Sequence, residues 1–154
     1  MIRIGLVSDT HGLLRPEVLA YLQGSDRIVH AGDICDHAVL ERLAAIAPVT
    51  AVRGNNDWGD WADRLQEVER VAFEGVDVLA IHDLARMRLE PKAAGVGVVV
   101  SGHSHKPLVE TRDGVLYVNP GSAGPRRFKL PISVGELLVD GRSVSAHIHE
   151  IEGR

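Results

Sequence analysis

Short apolar runs recur along the chain, and in its first third they alternate with stretches of helical periodicity. The apolar runs predict three β-strands, at residues 2–7, 28–31 and 49–53. Residues 15–22 carry apolar side chains on one helical face. Residues 36–47 repeat that pattern, with Asp36 suited to be the N-cap and Pro48 ending the helix. Alternation of strand and helix predicts a parallel sheet, and ligands of such sheets gather beyond the carboxyl ends of the strands.

The remainder of the chain is richer in strands than in helices. Hairpins are predicted where a two-residue turn separates two apolar runs, at Glu74-Gly75, Asp113-Gly114 and Asp140-Gly141. The strands that these turns join are expected at residues 65–73, 76–81, 108–112, 115–119, 134–139 and 143–151. Residues 96–101 are continuously apolar, as in a strand buried on both faces, and residues 90–94 favour a helical turn. No repeat or linker divides residues 1–154, so we predict a single domain of two packed sheets with helices outside.

Composition narrows the class of protein. The 154 residues are 45% hydrophobic and 25% charged, which is typical of a soluble globular protein. The net charge of −4 argues against electrostatic binding of nucleic acid over a broad surface. Cys35 has no second cysteine to pair with, and no apolar run is long enough to span a bilayer. The first predicted strand begins at Ile2 and leaves no room for a signal peptide, so we expect a cytoplasmic protein, with homo-oligomerisation left open.

Side chains of metal-ligand type follow five of the apolar runs. They are Asp9 and His11, Asp33, the series Asn55-Asn56-Asp57, His82, and the pair His103 and His105. Any one of these motifs is weak evidence, because a lone Asp-x-His or His-x-His is usually structural or exposed. Their conjunction is difficult to explain by packing. Carboxylates, an amide oxygen and imidazoles at strand ends are suited to a pair of divalent cations.

The order of these residues resembles that of the calcineurin-like metallophosphoesterases. The likeness to the small YfcE-type phosphodiesterases is carried by three longer motifs, at residues 8–12, 102–107 and 119–122. It extends from the first strand to the loop after Gly121, which is most of the chain. The resemblance implies an α/β fold, a four-layer sandwich of two mixed β-sheets flanked by helices. It also implies hydrolysis of small phosphodiesters by in-line attack of a metal-bridging hydroxide.

The resemblance also assigns ligands to two metal ions, with Asp33 bridging them. The first ion would be held by Asp9, His11, Asp33 and His105, and the second by Asp33, Asn55, His82 and His103. Mn²⁺ is the expected metal, because mixed nitrogen and oxygen ligands suit it, with Fe, Zn²⁺ and Ni²⁺ as alternatives. Catalytic roles would then fall to Asp33, Asn55 and His82, and to Asn56, which is not itself a proposed ligand.

Positions around these ligands carry further expectations. We predict that Asp57 orients a ligand or closes its turn, since it has no obvious way to reach a metal as well. Asn56 stands where many family members have a histidine thought to protonate the leaving group, so we expect a substrate contact there and poor cleavage of poor leaving groups. Asp83 follows His82 at a position where members of the family commonly have glycine. Arg126 and Arg127 are solvated loop residues by default, with phosphate contact as the alternative.

Simpler interpretations and other functions also stand. His30 is expected to be a core histidine hydrogen-bonded to backbone, and Cys35 a small buried hydrophobe. A phosphomonoesterase using the same site differs from the leading hypothesis only in substrate. A non-catalytic protein-binding scaffold of this fold would be expected to have damaged metal ligands, and none of the proposed positions is inert. A nuclease would need a more basic surface than this chain offers.

Overall fold

The computed structural model describes residues 1–127 and 129–151, and within them ten strands and a few short helices. The strands are β1 (Ile2–Val7), β2 (Arg27–His30), β3 (Val49–Ala51), β4 (Val68–Phe73), β5 (Val76–Ile81), β6 (Val98–Val100), β7 (Leu108–Arg112), β8 (Val115–Asn119), β9 (Ile132–Asp140) and β10 (Ser143–Ile151). The α-helices are α1 (Pro16–Leu22), α2 (His37–Ala44) and α3 (Asp60–Asp63), and a 3₁₀-helix covers Leu84–Arg86.

The strands form two five-stranded sheets, and both are mixed. In the first sheet the order is β10-β9-β1-β2-β3; β1, β2 and β3 are parallel, and β9 and β10 are antiparallel to their neighbours. In the second the order is β4-β5-β6-β8-β7, with β5, β6 and β8 parallel. The predicted α/β class with two mixed sheets is therefore confirmed. The parallel strands of each sheet direct their carboxyl ends, and the loops that follow, to one edge.

Three layers of apolar side chains hold the sheets and helices together. Between the sheets, buried residues of the first sheet such as Leu6 and Val29 pack in one cluster with residues of the second such as Val98. A second cluster joins α1 and α2 to the first sheet. A third covers the second sheet with Leu84, from the 3₁₀-helix, and Met87. One outer layer is thus helical, while the other consists of a 3₁₀-helix and turns.

Local chemistry explains why the elements begin and end where they do. Asp36 caps α2 as predicted, since its side chain accepts a hydrogen bond from the Ala38 amide at 3.0 Å. Both residues of the Asp113-Gly114 turn have positive φ, at 52° and 78°, which matches the twist of a tight hairpin. The elements predicted at 36–47, 49–53, 65–73 and 96–101 are shorter in the structure. Helix α3 was not predicted, because four residues carry too little periodicity.

Among residues 1–127 and 129–151, no helix has both the length and the apolar character needed to cross a membrane. The cytoplasmic location remains a prediction.

Candidate metal centre

The predicted ligands lie on loops that leave the carboxyl ends of parallel strands in both sheets. Asp9 follows β1 and Asp33 follows β2, while His82 follows β5 and His103 follows β6 by a few residues. Backbone hydrogen bonds tie the loops in pairs, from the Asp9 amide to the Gly32 carbonyl at 2.9 Å and from the Gly102 amide to the His82 carbonyl at 3.0 Å. Because the two sheets face each other, these loops converge on one site.

Backbone strain is concentrated in these loops. Five predicted ligands have left-handed backbone, with φ of 53° at Asp9, 48° at His11, 56° at Asp33, 72° at His103 and 64° at His105. Residues other than glycine seldom adopt this conformation, and where they do the surrounding structure must enforce it. Such strain at ligand-type residues is a mark of a functional site, because packing alone gives no reason for it.

Asp9, His11 and His105 form a first ligand group. The Asp9 carboxylate is fully buried, and its Oδ1 lies 3.3 Å from His105 Nε2 and 3.9 Å from His11 Nε2. The other oxygen, Oδ2, accepts hydrogen bonds from the Ser8 hydroxyl at 2.6 Å and from the His103 amide at 3.1 Å. Those two donors hold the carboxylate so that Oδ1 faces the imidazoles.

Asp9, Asp33 and His82 form a second ligand group that shares Asp9 with the first. Asp33 Oδ2 lies 3.3 Å from His82 Nε2 and 3.7 Å from His11 Nε2, so it faces a histidine of each group. Asp9 Oδ1 is 3.9 Å from His82 Nε2 and also reaches both groups. The bridging role predicted for Asp33 fits its position, and Asp9 is equally central.

Asn55 and His103 complete the predicted ligand set at the margin of the site. Asn55 is exposed, and its Oδ1 lies 3.0 Å from His82 Nε2. The His103 side chain is half exposed and stands apart from both ligand groups, with its ring 5.2 Å from that of His82 and its Nε2 3.9 Å from Asp83 Oδ2. Asp83 therefore lies beside His103, the most exposed of the four proposed histidine ligands.

Several buried polar atoms of the site have no hydrogen-bond partner, and this tests whether a metal fits. Asp9 Oδ1, His11 Nε2 and His105 Nδ1 are all buried without a partner among residues 1–127 and 129–151. Leaving a buried polar atom unsatisfied costs about 1–3 kcal/mol. A cation between Asp9 Oδ1 and His11 Nε2 would satisfy both. His82 Nδ1 donates to the Ala31 carbonyl at 2.7 Å, so a neutral His82 ring keeps its proton on Nδ1 and can offer the Nε2 lone pair to a cation beside Asp33. The residues fit divalent cations.

The two carboxylates are held in their ionised form. Burial would raise the pKa of Asp9, but the nearby His105 and His82 rings and the hydrogen bond from Ser8 together outweigh it, and the pKa lies below its ordinary value. Burial opposes ionisation of Asp33 as well, yet hydrogen bonds from His82 and from Asn56 lower its pKa. Both groups are therefore anionic near neutral pH, the form that binds a cation.

The pKa values of His11 and His82 are shifted in opposite directions. Burial lowers the pKa of His11, against the opposing effect of Asp33 and Asp9, and the charge of Arg127 adds to the lowering. Burial also acts to lower the pKa of His82, but the carboxylates of Asp33 and Asp9 raise it above its ordinary value. His11 is thus neutral near neutral pH, as a metal ligand must be, and His82 must release its proton when a metal binds.

Asp57 supports the loop that carries Asp33. Its carboxylate is buried and accepts four backbone hydrogen bonds, from Asp33 at 3.0 Å and from Ile34, Cys35 and Gly54 at 2.8 Å each. A single side chain thereby fixes the left-handed turn at Asp33 and ties it to the loop after β3. These contacts agree with the prediction that Asp57 closes a turn and orients a ligand.

Asn56 holds the Asp33 carboxylate itself. Its backbone amide donates to Asp33 Oδ1 at 2.9 Å and its side-chain amide donates to Oδ2 at 3.0 Å. Sequence reasoning gave Asn56 a catalytic role, a substrate contact or the place of a missing proton donor. No signal in the sequence indicated that it grips a neighbouring loop.

Two glycines make room for the carboxylates. A Cβ at Gly54 would overlap the Asp33 carboxylate, and a Cβ at Gly102 would overlap Ser8 and the Asp9 carboxylate. This explains why glycine precedes Asn55 and His103. The Gly-Asn and Gly-His pairs reflect close approach of one loop to the ligand on another.

Other predicted residues have clear positions. The prediction for His30 is confirmed, since its side chain is fully buried and Nδ1 accepts from the Gly32 amide at 3.1 Å. The prediction of a buried Cys35 is wrong: the thiol is exposed, with Sγ 3.6 Å from His11 Nδ1, because the turn after Asp33 directs it outward. Arg126 and Arg127 are both exposed. The charge of Arg127 is close enough to lower the pKa of His11.

Sequence reasoning missed a layer of supporting residues. The Ser122 hydroxyl donates to the Asp9 carbonyl at 3.1 Å, and Asn119 donates from Nδ2 to the Gly102 carbonyl at 3.1 Å. Asn119 also accepts from the Gly121 amide at 2.9 Å. The motif at 119–122 was recognised as a family signature, but its pattern alone did not indicate that it fastens the loops carrying Asp9 and the histidines.

Two facing mixed sheets with aspartates and histidines gathered at their parallel-strand ends define the class as metallophosphoesterase. Residues 2–142 match the calcineurin-like phosphoesterase superfamily domain, and the chain belongs to that family. It is 34% identical to a probable metallophosphoesterase of Methanothermobacter thermautotrophicus, covering 94% of this chain and 90% of the relative. It is 28% identical to the phosphodiesterase YfcE of Escherichia coli K12, over 95% of this chain and 92% of YfcE.

Solved structures give the same fold. The E. coli Yfce phosphoesterase superposes with a TM-score of 0.72 at 26% identity, covering 95% of this chain and 98% of that one. Vps29 of Chaetomium thermophilum superposes with a TM-score of 0.85, over 98% of this chain and 88% of that one. The Vps29 identity is 19%, so that likeness concerns the fold alone. The family and the Asp/His groups together indicate divalent-metal binding.

Proposed function

We propose that this protein is a phosphodiesterase that binds two divalent ions, Mn²⁺ foremost, and hydrolyses small phosphodiesters. The observation that carries the proposal is the buried and unsatisfied set of atoms at Asp9, His11 and His105, joined through Asp9 to Asp33 and His82. The phosphodiesterase name of the YfcE relative supports the choice of a diester. Each of the ligand positions that the family order requires carries a residue able to coordinate a metal.

Each residue of the site has a role in this reaction. Bound divalent ions would lower the pKa of water and neutralise the phosphate. Asp9 and Asp33 supply only two negative charges against four positive ones, so the site retains a surplus for an anionic substrate. Asn56 keeps Asp33 in one orientation. With an amide at that position, the leaving oxygen receives no proton from residue 56.

A groove beside the second ligand group offers room for an ester arm. It encloses about 440 Å³ and is lined in part by Asn55 and His82, the proposed ligands nearest to it. One phosphorus substituent could therefore lie in the groove while the phosphate faces the ligands. The single arm of a phosphomonoester could fill this groove as well, so the choice of a diester rests on the phosphodiesterase name of the YfcE relative.

The competing hypotheses differ in what they predict. A phosphomonoesterase shares every ligand and would favour p-nitrophenyl phosphate. A binding scaffold would bind metal weakly or turn over nothing, and the likeness to Vps29 is the reason to consider it. The intact ligand set argues for catalysis.

The experiment combines metal analysis with turnover. Metal-free protein is titrated with Mn²⁺, and hydrolysis of bis(p-nitrophenyl) phosphate is compared with that of p-nitrophenyl phosphate. We expect two ions per chain, a faster diester reaction, and loss of both metal and turnover in Asp33→Asn. Asp63→Asn is the matched control, because that carboxylate is exposed and pairs only with Arg53 in the described structure. Two bound ions and full activity in Asp33→Asn would refute the bridging assignment, and no turnover by native protein would refute the activity.

A further inference from the structure

The groove beside the candidate metal centre carries charged side chains that no ligand role explains. Arg53, Glu67, Asp83 and Arg86 line it together with the apolar Val68 and Ile81, and it ends at Asn55 and His82. Two of these four side chains, Arg53 and Asp83, have partners within the protein. A charged side chain without a partner in the protein is available to bind a group of the substrate.

Arg53 and Asp83 are engaged. Arg53 donates from Nε to the Asp57 carbonyl at 3.1 Å, and its guanidinium lies 3.3 Å from Asp63. Asp83 accepts from the Ala85 amide at 3.0 Å and so caps the 3₁₀-helix. Arg53 is therefore paired with a carboxylate, whereas the Asp83 carboxylate is held in place by a backbone amide and keeps its negative charge.

Arg86 and Glu67 are free. In the part of the chain that the structure describes, neither side chain has a hydrogen bond or an ion pair, although both border the same groove. Arg86 ends the 3₁₀-helix that Asp83 caps, so it is placed by a short rigid segment that begins directly after His82. A guanidinium presents paired donors that match a carboxylate or a phosphate.

We propose that Arg86 is a specificity-determining residue that binds an anionic group on the ester arm lying in this groove. The inference rests on the proposed function. It names the substrate class as a phosphodiester with one arm that carries a further carboxylate or phosphate. Val68, which is 41% exposed, contributes an apolar wall for the carbon chain between the two anionic groups. Glu67 lines the same groove and its negative charge opposes the binding of an anion there.

The test uses substrates with one leaving group and different remaining arms. The p-nitrophenyl diesters of methanol, 3-hydroxypropionate and 2-phosphoethanol present a neutral, a carboxylate and a phosphate arm. For native protein loaded with Mn²⁺ we expect kcat/KM to be higher for the charged arms. Arg86→Ala should lower kcat/KM for the charged arms about tenfold or more and change the methyl ester less than twofold. The relative loss for the carboxylate and phosphate arms tells which anion the groove prefers.

Three further variants separate specificity from a structural effect. Arg86→Lys should retain part of the preference, since it keeps the charge but not the paired donors. Glu67→Gln should leave the preference intact or raise it. Arg88→Ala is the matched control, an exposed arginine two residues away that does not border this groove. Equal losses for all three esters in Arg86→Ala, or equal losses in Arg88→Ala, would overturn the proposal.

A binding measurement keeps this inference distinct from the proposed activity. Calorimetry of Mn²⁺-loaded protein compares 2-carboxyethylphosphonate with methylphosphonate, which cannot be hydrolysed. We expect tighter binding of the carboxyethyl compound, with the difference lost in Arg86→Ala. If native protein cleaves no diester but keeps this Arg86-dependent preference, the activity is wrong and the subsite stands. If the two phosphonates bind alike, the subsite is wrong whatever the turnover.

Discussion

The side-chain amide of Asn56 donates a hydrogen bond to Asp33 Oδ2 at 3.0 Å. The same oxygen faces His82 at 3.3 Å and His11 at 3.7 Å, so Asn56 holds the carboxylate that lies between the two ligand groups. A residue in this position restrains a ligand and has no proton to give near neutral pH. The first prediction follows from that division of roles.

We predict that the rate depends steeply on the leaving group and that Asn56→His reduces this dependence. General acid catalysis is typically worth about 10²–10⁴-fold, so a histidine that reaches the leaving oxygen should help alkyl diesters far more than aryl ones. The measurement is kcat/KM over a series of diesters at saturating Mn²⁺, because the variant also loses the hold on Asp33. A flat series in native protein would mean that another group supplies the proton.

Asp57→Ala should destabilise the protein strongly. The variant leaves four backbone amides without their acceptor, in a region where Asp57 itself is only 3% exposed. We expect a loss of at least about 3 kcal/mol in the free energy of unfolding, measured by urea denaturation of metal-free protein. Asp60→Asn, an exposed position on α3, should change it by less than about 0.5 kcal/mol. An Asp57→Ala protein as stable as the native one would show that water replaces the carboxylate.

Cys35→Ala should weaken metal binding without unfolding the protein. Cys35 Sγ lies 3.6 Å from His11 Nδ1 and the same distance from the Asn56 carbonyl, so the thiol can link the ring to a neighbouring loop. Removing the partner of a ligand's second nitrogen typically costs about 10–100-fold in metal affinity. We expect a loss of about tenfold in Mn²⁺ affinity by calorimetry, and a smaller loss in Cys35→Ser, which keeps a donor and an acceptor. Equal affinity of native and Cys35→Ala protein would refute this role.

His30 should make the metal-free protein less stable in acid. Its Nδ1 accepts from the Gly32 amide and its Nε2 lies 3.1 Å from Thr10 Oγ1, contacts that suit a neutral ring. Burial lowers the pKa of His30 to about 3, below the 6.5 of an exposed histidine. The unfolded chain therefore binds a proton that the folded chain does not, and the free energy of unfolding falls as the pH drops from 6.5 towards 3.

The test compares native protein with His30→Asn by urea denaturation between pH 4 and pH 8. The native curve should fall more steeply with acid, by up to about 1.4 kcal/mol per pH unit, because the variant lacks this titration. Above pH 7 the difference between the two proteins should be constant. Parallel curves from pH 4 to pH 6 would show that His30 titrates alike in the folded and unfolded chain.

Much of this architecture could be predicted from local pattern. Alternating apolar runs predicted the strands, Asp36 predicted the start of α2, and Asp113-Gly114 predicted a hairpin, because each depends on residues close in sequence. The types of side chain at the strand ends predicted a metal site, since ligand chemistry is a property of the residue itself. Asp9 and Asp33 each follow a strand, and neighbouring parallel strands end at the same edge of a sheet. Their positions in the sequence were therefore enough to predict that they lie at one edge.

The tertiary structure alone decided how the loops support one another. Three features depend on how loops from different strands approach one another. They are the hydrogen bond from Asn56 to Asp33, the four backbone amides that Asp57 binds, and the exposed position of Cys35 beside His11. No periodicity encodes those approaches, because they are set by the packing of one sheet against the other and by left-handed turns that few residues adopt. The amino-acid sequence determined which groups could bind a metal, and the packing of the two sheets determined which of them face one another.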